Sequence, residues 1–451
     1  MRYLPHTDAE VEAMLAAIGV ENLDALFESI PEALRLRAEL DLPPPLDEQG
    51  LVDELTSLQA CTSGRPFLGA GSYPHHVPAV VSDLLLRGEI LTAYTPYQPE
   101  VSQGTLQTIF EYQTMVCALT GLEVSNASMY DGAHAMAEAA LLALRSRRKS
   151  TKVLVSRAIH PLYRRVLDTY LHHGEGEVVT IPVDDATGQM DLPALEAALA
   201  AGGQEVACVI AGYPNFFGVI EPLDEIARRC EPTGAIPISI TTEAVALGLL
   251  AAPGRLGVQI AVGELGSFGN GMSFGGPSVG FFAATEKFLR QMPGRLCGAT
   301  VDRKGRRGFV LTLSAREQHI RRAKATSNIC TNQGLCATAA TIHLALLGRH
   351  GLRDLARINW QRAHHARKLL SAAGLEPRFS GPVFNEFTVK IADPAGARRR
   401  LREVGLEGGF ALSRYYDEYP EGLLLAVTEV HAPAAIQALA DTLAAAPGGA
   451  A

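Results

Sequence analysis

Apolar positions recur with two different periods along this chain, and the change of period divides it. Leu106, Ile109, Phe110 and Met115, up to Gly121, fall at helical spacing, and a second helical pattern runs from about Gly132 to Leu144. Short apolar runs then take over: KVLVS (152–156), EVVTIP (177–182), VACVIA (206–211), IPISIT (236–241), QIAVG (259–263) and SVGFFA (278–283). They alternate with helical segments at 161–172, 191–201 and 222–230. Strands apolar on both faces, each followed by a helix, predict a mainly parallel sheet covered by helices on both sides, an α/β fold.

The flanks read differently. Thr7 is followed three residues later by Glu10, a capping-box spacing, and Gly19 supplies a C-terminal stop. A helical pattern from Asn22 to Ser29 ends before Pro31, and LPPP at Leu42 to Pro45 predicts an extended connector. Residues 1–60 are therefore expected to form an N-terminal helical extension, 61–330 a large α/β domain and 331–451 a small C-terminal domain. In the last, NEFTVKI (385–391) and GLLLAV (422–427) read as strands, and 395–404 and 433–444 as helices. A basic helix near Ala315 to Lys324, with Ser314 and Glu317 as a second capping box, is expected between the two domains. The string TAYTPYQPEVSQG at Thr92 to Gly104 fits neither period; its prolines break any helix and predict an extended loop that packs on a partner or lines a site.

Composition narrows the function classes. In 451 residues, 48 Asp and Glu outweigh 40 Lys and Arg, and the net charge of −8 argues against a general nucleic-acid or anionic-membrane binder. The first residues, MRYLPHTDAEVEAM, lack a basic-then-apolar secretory pattern, and no apolar run approaches the roughly 18 residues that cross a bilayer, so a cytoplasmic protein is expected. Seven cysteines, from Cys61 to Cys336, form no CxxC pair. His75 and His76 are adjacent, so they project differently, and with no HExxH spacing no metal site is expected. There is no GxSxG nucleophile elbow, and FLGAG (67–71) and SFGGPSVG (273–280) do not make a GxGxxG fingerprint.

A large parallel domain with a small α/β partner fits pyridoxal-phosphate (PLP) enzymes among others. Such an enzyme needs a Schiff-base lysine, an acid for the pyridinium nitrogen and a helix start for the phosphate. The lysines are Lys149, Lys152, Lys287, Lys304, Lys324, Lys368 and Lys390. None lies in GELGSFGNGMSFGG, where the topology would put it, and the strand end that should carry an aspartate reads Thr241, Thr242, Glu243. Asp131 and Gly132, in SMYDGAHA, open a helix that could receive an anion, or Asp131 is an ordinary N-cap.

Six longer strings carry a resemblance: FLGAGSYPHHVPAVV, TAYTPYQPEVSQGTLQTIFEYQTM, NASMYDG, FGGPSVGFFA, MPGRLCGATVDRKGRRGFVLTL and AREQHIRRAKATSNICTNQ. Together they resemble the subunit 1 chains of the glycine decarboxylase P-protein family, part of the glycine cleavage system. The resemblance implies PLP-dependent transferase fold type I and an α₂β₂ assembly of related chains, in which subunit 2 holds PLP covalently and subunit 1 has no catalytic residue of its own. Glycine would lose CO₂ on the partner, with the PLP ring as electron sink, and its aminomethyl group would pass to the lipoyl arm of H-protein. This chain would complete the pocket across the interface with Tyr94, Thr95, Tyr97, Gln98, Glu100, Ser102 and Gln103, and with Thr326, Ser327, Asn328, Thr331 and Asn332. Asp131 and Gly132 would be a vestigial anion site. Departures from the family pattern at Thr241–Glu243, at Glu264–Gly266 and at Ala323 cluster around that vestigial site. The competing readings are an autonomous PLP enzyme using Lys287, and a noncatalytic scaffold of the same fold.

Overall fold

The computed structural model describes residues 5–36, 38, 40–59, 66–174 and 176–445, in two compact units, Met1–Thr62 and Ser63–Ala451. Cys61 and the Ala/Gly-rich tail lie outside the described residues. In the first unit the expected capping box closes: Thr7 N–H donates to Glu10 Oε2 at 2.7 Å, and Glu10 N–H to Thr7 Oγ1 at 3.4 Å, opening a helix over Asp8–Ile18 that Gly19 ends with φ 85°. The segment expected as a helix from Asn22 to Ser29 is a 3-10 turn, Leu23–Phe27. Its few residues before Pro31 cannot sustain an α-helical nucleus. A helix follows over Glu48–Gln59.

In the second unit seven strands form one sheet: β1 (Val124–Ser125), β2 (Lys152–Ser156), β3 (Glu177–Ile181), β4 (Val206–Gly212), β5 (Ile236–Thr241), β6 (Ile260–Glu264) and β7 (Gly280–Ala284). Their order is β1-β7-β6-β5-β4-β2-β3. β2 to β6 are parallel, and β7 pairs antiparallel with β6 and β1. Successive side chains enter opposite layers: Val209 and Phe281 join Tyr112 and Leu344 on one face, while Ile210 and Phe282 join Met136 and Val262 on the other. Burial on both faces is why the inner strands β4 to β7 read as unbroken apolar runs. Gly280 is required by proximity, since a Cβ there would stand 2.3 Å from the Asp131 carbonyl oxygen. That contact fixes the start of β7 against the start of the Gly132–Ser146 helix.

A hairpin, β8 (Leu296–Val301) and β9 (Arg307–Thr312), follows and was not legible as strands. The basic helix expected over 315–324 is broken into a 3-10 turn (Ser314–Arg316), one helical turn (Gln318–Arg321) and another 3-10 turn (Arg322–Lys324). Leu313 and Arg322 adopt φ 55° and 54°, which no α-helix accommodates, and the Ser314–Glu317 box does not form because Glu317 faces Arg295 instead, 3.9 Å away.

The helix Gly334–Ala372 serves two cores. Cys336, Ala337, Leu344 and Ala356 pack under the large sheet, and Ala363, Ala366 and Leu370 pack on a small antiparallel sheet of β10 (Glu386–Lys390), β11 (Phe410–Ala411) and β12 (Gly422–Ala426). This one helix thus spans the passage from the large layer to the small one. Helices Pro394–Glu403 and Pro433–Ala444 complete the small layer. No helix among the described residues is long and apolar enough to cross a membrane.

Candidate functional site

The C-terminal ends of β5 and β6 open into a cavity of about 340 Å³, the usual place for a ligand in a parallel sheet. Thr242, Glu264 and His160 line it, together with Asp131 at the start of the Gly132–Ser146 helix. Asp131 is the N-cap, its carboxylate accepting the His134 N–H at 2.8 Å. The helix start is already occupied, and by a side chain of the same chain: Gly132 N–H donates to Glu264 Oε2 at 2.9 Å, while Val279 N–H donates to Oε1 at 2.7 Å. Burial pushes the Glu264 carboxyl up to about 7 against these two hydrogen bonds. The loop after β6 carries no lysine, and Ser273 and Phe274 take left-handed φ of 40° and 57°, with the Phe274 ring exposed. Lys287 is at the other end of the strands, its Nζ donating to Gln259 Oε1 at 2.6 Å just before β6 begins.

Glu243, one residue past Thr242, is buried and engaged. Its Oε2 meets His75 Nε2 at 2.8 Å and accepts from Asn385 at 3.1 Å, while Oε1 accepts the Val245 N–H at 3.0 Å. The other imidazole nitrogen of His75 meets Glu429 Oε2 at 2.9 Å, where Asn359 also donates. Burial opposes charge on His75, but the Glu243 carboxylate, and Glu429 after it, overcome that and push the imidazole up to about 10. Burial likewise works against the Glu429 charge, yet the His75 hydrogen bond and charge draw that carboxyl down to about 2. A third acid, Glu386, accepts the Ala70 N–H at 2.6 Å and the Tyr73 hydroxyl at 2.9 Å, and burial pushes it up to about 8. Three carboxyl groups thus bolt the Ala70–His76 loop to the strand end and the small sheet. Adjacent His75 and His76 do project differently: the first is enclosed, the second exposed.

The two loops singled out in the sequence converge only in part. Tyr94, Thr95 and Ser102 face Thr331 and Asn332 across a cavity of about 620 Å³. Tyr97 lines a neighbouring cavity of about 280 Å³, and Arg295 lies in the wall of both. Gln103 is fastened to β9, its Oε1 accepting the Phe309 N–H and its Nε2 donating to Phe309 O, both at 2.9 Å. Asn332 Nδ2 donates to Ser128 Oγ at 2.8 Å. Thr326, Ser327 and Asn328 do not line the cavity: Thr326 donates to Arg316 O at 3.4 Å, Ser327 to Glu138 Oε1 at 2.8 Å, and Asn328 bonds Tyr170. Gln98 and Glu100 are exposed on the loop tip, outside both cavities. Sequence reasoning missed the His75 cluster and Arg295. Their partners lie hundreds of residues away or, for Arg295 in MPGRLC, carry no spacing signal.

The family model for the glycine cleavage system P-protein matches residues 1–443. The chain is 57% identical over 448 residues, 98% of its own length and 100% of the relative's, to a probable glycine dehydrogenase (decarboxylating) subunit 1 of Anaeromyxobacter dehalogenans (strain 2CP-C). Among solved structures it resembles glycine decarboxylase (P-protein) of the glycine cleavage system in inhibitor-bound form, with 45% identity, a TM-score of 0.85, and 98% of this chain and 99% of that one covered. An alanine–glyoxylate aminotransferase from Nostoc sp. shares the fold alone, at 17% identity and a TM-score of 0.58 over 92% of this chain and 99% of that one. The fold is that of PLP-dependent fold type I.

The strand-end cavity of this chain does not fit that cofactor. Among the described residues no lysine or arginine lines it, the Gly132 N–H is already given to Glu264, a second carboxyl group stands beside it at Asp131, and Glu243, just past β5, is paired with His75. A phosphate would meet a carboxyl group where the fold normally offers bare N–H groups. The architecture, a strand-end cavity lined by no lysine among the described residues, and above all the full-length match place the chain in the glycine cleavage system P-protein family.

Proposed function

We propose that this chain is the non-anchoring subunit of a glycine decarboxylase, acting in the cytoplasm in an α₂β₂ assembly with a related, lysine-bearing subunit 2. The carrying observation is the strand-end cavity: among the described residues it has no lysine, and its helix start is occupied by Glu264. PLP held on the partner's lysine would supply the electron sink for glycine decarboxylation, and the aminomethyl group would pass to the lipoyl arm of H-protein. What this chain contributes is surface. Tyr94 and Tyr97 are 75% and 61% exposed on a loop whose base is fixed by Gln103, which suits an aromatic contact presented to another chain. With Thr95, Ser102, Thr331 and Asn332 they would close the partner's pocket and exclude water from it. Gln98 and Glu100 at the tip would extend that contact, while Gln103, Thr326, Ser327 and Asn328 would act by holding the two loops in place. The position of Lys287 at the far end of the sheet disfavours an autonomous enzyme.

Borohydride trapping of PLP with peptide mapping tests this, on the chain alone and co-expressed with its subunit 2. The expected result is label on the partner's lysine only, with glycine–CO₂ exchange only in the mixture. Label on a lysine of this chain would overturn it.

A further inference from the structure

The strand-end cavity does not suit a phosphate, and its wall shows what it suits instead. Among the described residues no lysine or arginine lines it, and its one imidazole, His160, spends both nitrogens: Nε2 meets Ala70 O at 2.9 Å and Nδ1 accepts the Leu162 N–H at 3.2 Å. Lone pairs, by contrast, are in surplus. Each Glu264 oxygen accepts one backbone N–H and keeps a further lone pair, and Asp131 meets only the backbone N–H and the imidazole Nδ1 of His134. Asn270 gives its Nδ2 to Phe268 O at 3.0 Å and to Cys336 O at 3.2 Å, so two carbonyls orient the amide and its Oδ1 is left for the cavity.

Two hydroxyls carry the argument further. Ser267 is 9% exposed, lines the cavity and has no hydrogen-bond partner among the described residues. The Tyr163 hydroxyl also lacks one, and it is so close to the helix start that a Cβ on Gly132 would stand 2.9 Å from it. Native proteins leave few enclosed polar groups unbonded, and these two line the same space. A helix start repels cations, but here its first N–H is spent on Glu264. Burial pushes that carboxyl up to about 7, so above this pH a second negative charge joins Asp131. The other titratable groups near Glu264 are Tyr163, Tyr112 and Cys336, none of them cationic. No third carboxylate or imidazole completes a metal-binding group among the described residues, so a divalent ion would lack ligands.

We infer that the strand-end cavity binds the primary ammonium group of a small aliphatic amine, with Glu264 and Asp131 countering its charge and Ser267 and Asn270 accepting its N–H groups. At about 340 Å³ the space is at the lower end of ligand pockets, which limits the occupant to a few carbons. An amino-acid zwitterion fits poorly, because its carboxylate would face the same two acids. Every group named belongs to this chain, so the site stands or falls separately from the half-enzyme reading.

The test is the broadening of the proton resonances of methylammonium by the isolated full-length chain at pH 8.5 and constant ionic strength, with tetramethylammonium and glycine in parallel arms. Saturable broadening by methylammonium is expected. Tetramethylammonium, which keeps the charge but has no N–H, should bind at least about tenfold more weakly, and glycine more weakly too. Ser267→Ala should weaken methylammonium about tenfold, the loss of one hydrogen bond to a charged group, and Glu264→Gln by at least as much. Glu403→Gln, an exposed acid at the end of the Pro394–Glu403 helix, should change nothing. Ser267→Ala removes a single oxygen atom and guards against misfolding of the Glu264 variant. No saturable binding of methylammonium, equal binding by wild type and both cavity variants, or tetramethylammonium or glycine bound as tightly as methylammonium would overturn the assignment.

Discussion

Replacing His75 with glutamine removes the cation between Glu243 and Glu429 and leaves two enclosed carboxylates facing a neutral side chain. In the wild type the imidazole meets them at 2.8 and 2.9 Å, with side-chain exposures of 3%, 2% and 12% for His75, Glu243 and Glu429. Deleting one partner of a buried ion pair costs about 3–5 kcal/mol, because the remaining charge is stranded. With an unfolding entropy of roughly 2.1 cal/mol/K per residue and a unit of roughly 390 residues, that lowers Tm by about 4–6 °C. The pH dependence separates charge from packing. His75 has a folded pKa raised above its unfolded value, so its contribution is complete below about 6.5 and is lost as pH rises through about 10. At pH 7 the wild type retains nearly all of it. In the variant Glu429 has lost the cation that holds its carboxyl down and takes up a proton more readily, so lowering pH relieves it, and the Tm deficit at pH 5 should be smaller than that at pH 7. Calorimetry of both proteins at the two pH values decides it. A deficit equal at pH 5 and pH 7 would show that the loss is one of shape, and a deficit below about 1 kcal/mol would show that the cluster does not hold the loop.

Two further outcomes follow from the same structure. Glu221 and Glu264, pushed up to about 7 by burial, and Glu386, pushed up to about 8, hold protons in the folded state that the unfolded chain releases near pH 4.5, so they favour folding at low pH and their contribution declines as pH rises from about 4.5 to 8; His75 extends the decline towards 10, and Glu429, depressed to about 2, weakens the fold only below about 4.5. Wild-type Tm should therefore fall steadily from pH 5 to pH 9, and a maximum near pH 8 would contradict these assignments. Gln103→Ala removes both hydrogen bonds to the Phe309 backbone and should cost about 1–3 kcal/mol, read locally as faster hydrogen exchange at the Phe309 amide; unchanged exchange there would mean that the loop is fixed by other contacts.

Elements whose identity rests on local chemistry were legible in the sequence. The strands β2 and β4 to β7 are apolar on both faces because helices cover both sides of the sheet, and the Thr7–Glu10 box and Gly19 act within a single helix, so a linear reading finds them. The absence of a lysine after β6 is also a sequence fact, and it already set the chain apart from PLP enzymes that anchor their own cofactor. Ser314 and Glu317 misled for the opposite reason: a capping spacing is necessary but not sufficient, and a buried arginine at position 295 claimed the glutamate.

What only the tertiary structure decided is which charges meet. Glu243 and Glu429 stand 168 and 354 positions from His75 along the chain, yet the three share one buried cluster. Glu264 reaches back 132 residues to occupy the start of the Gly132–Ser146 helix, and Arg295 reaches the Tyr97 loop across 198. Sequence determines hydrophobic periodicity because burial acts on each residue where it stands. Electrostatic pairing depends on distance in three dimensions and on the low polarity of the interior, and neither exists until the chain has folded.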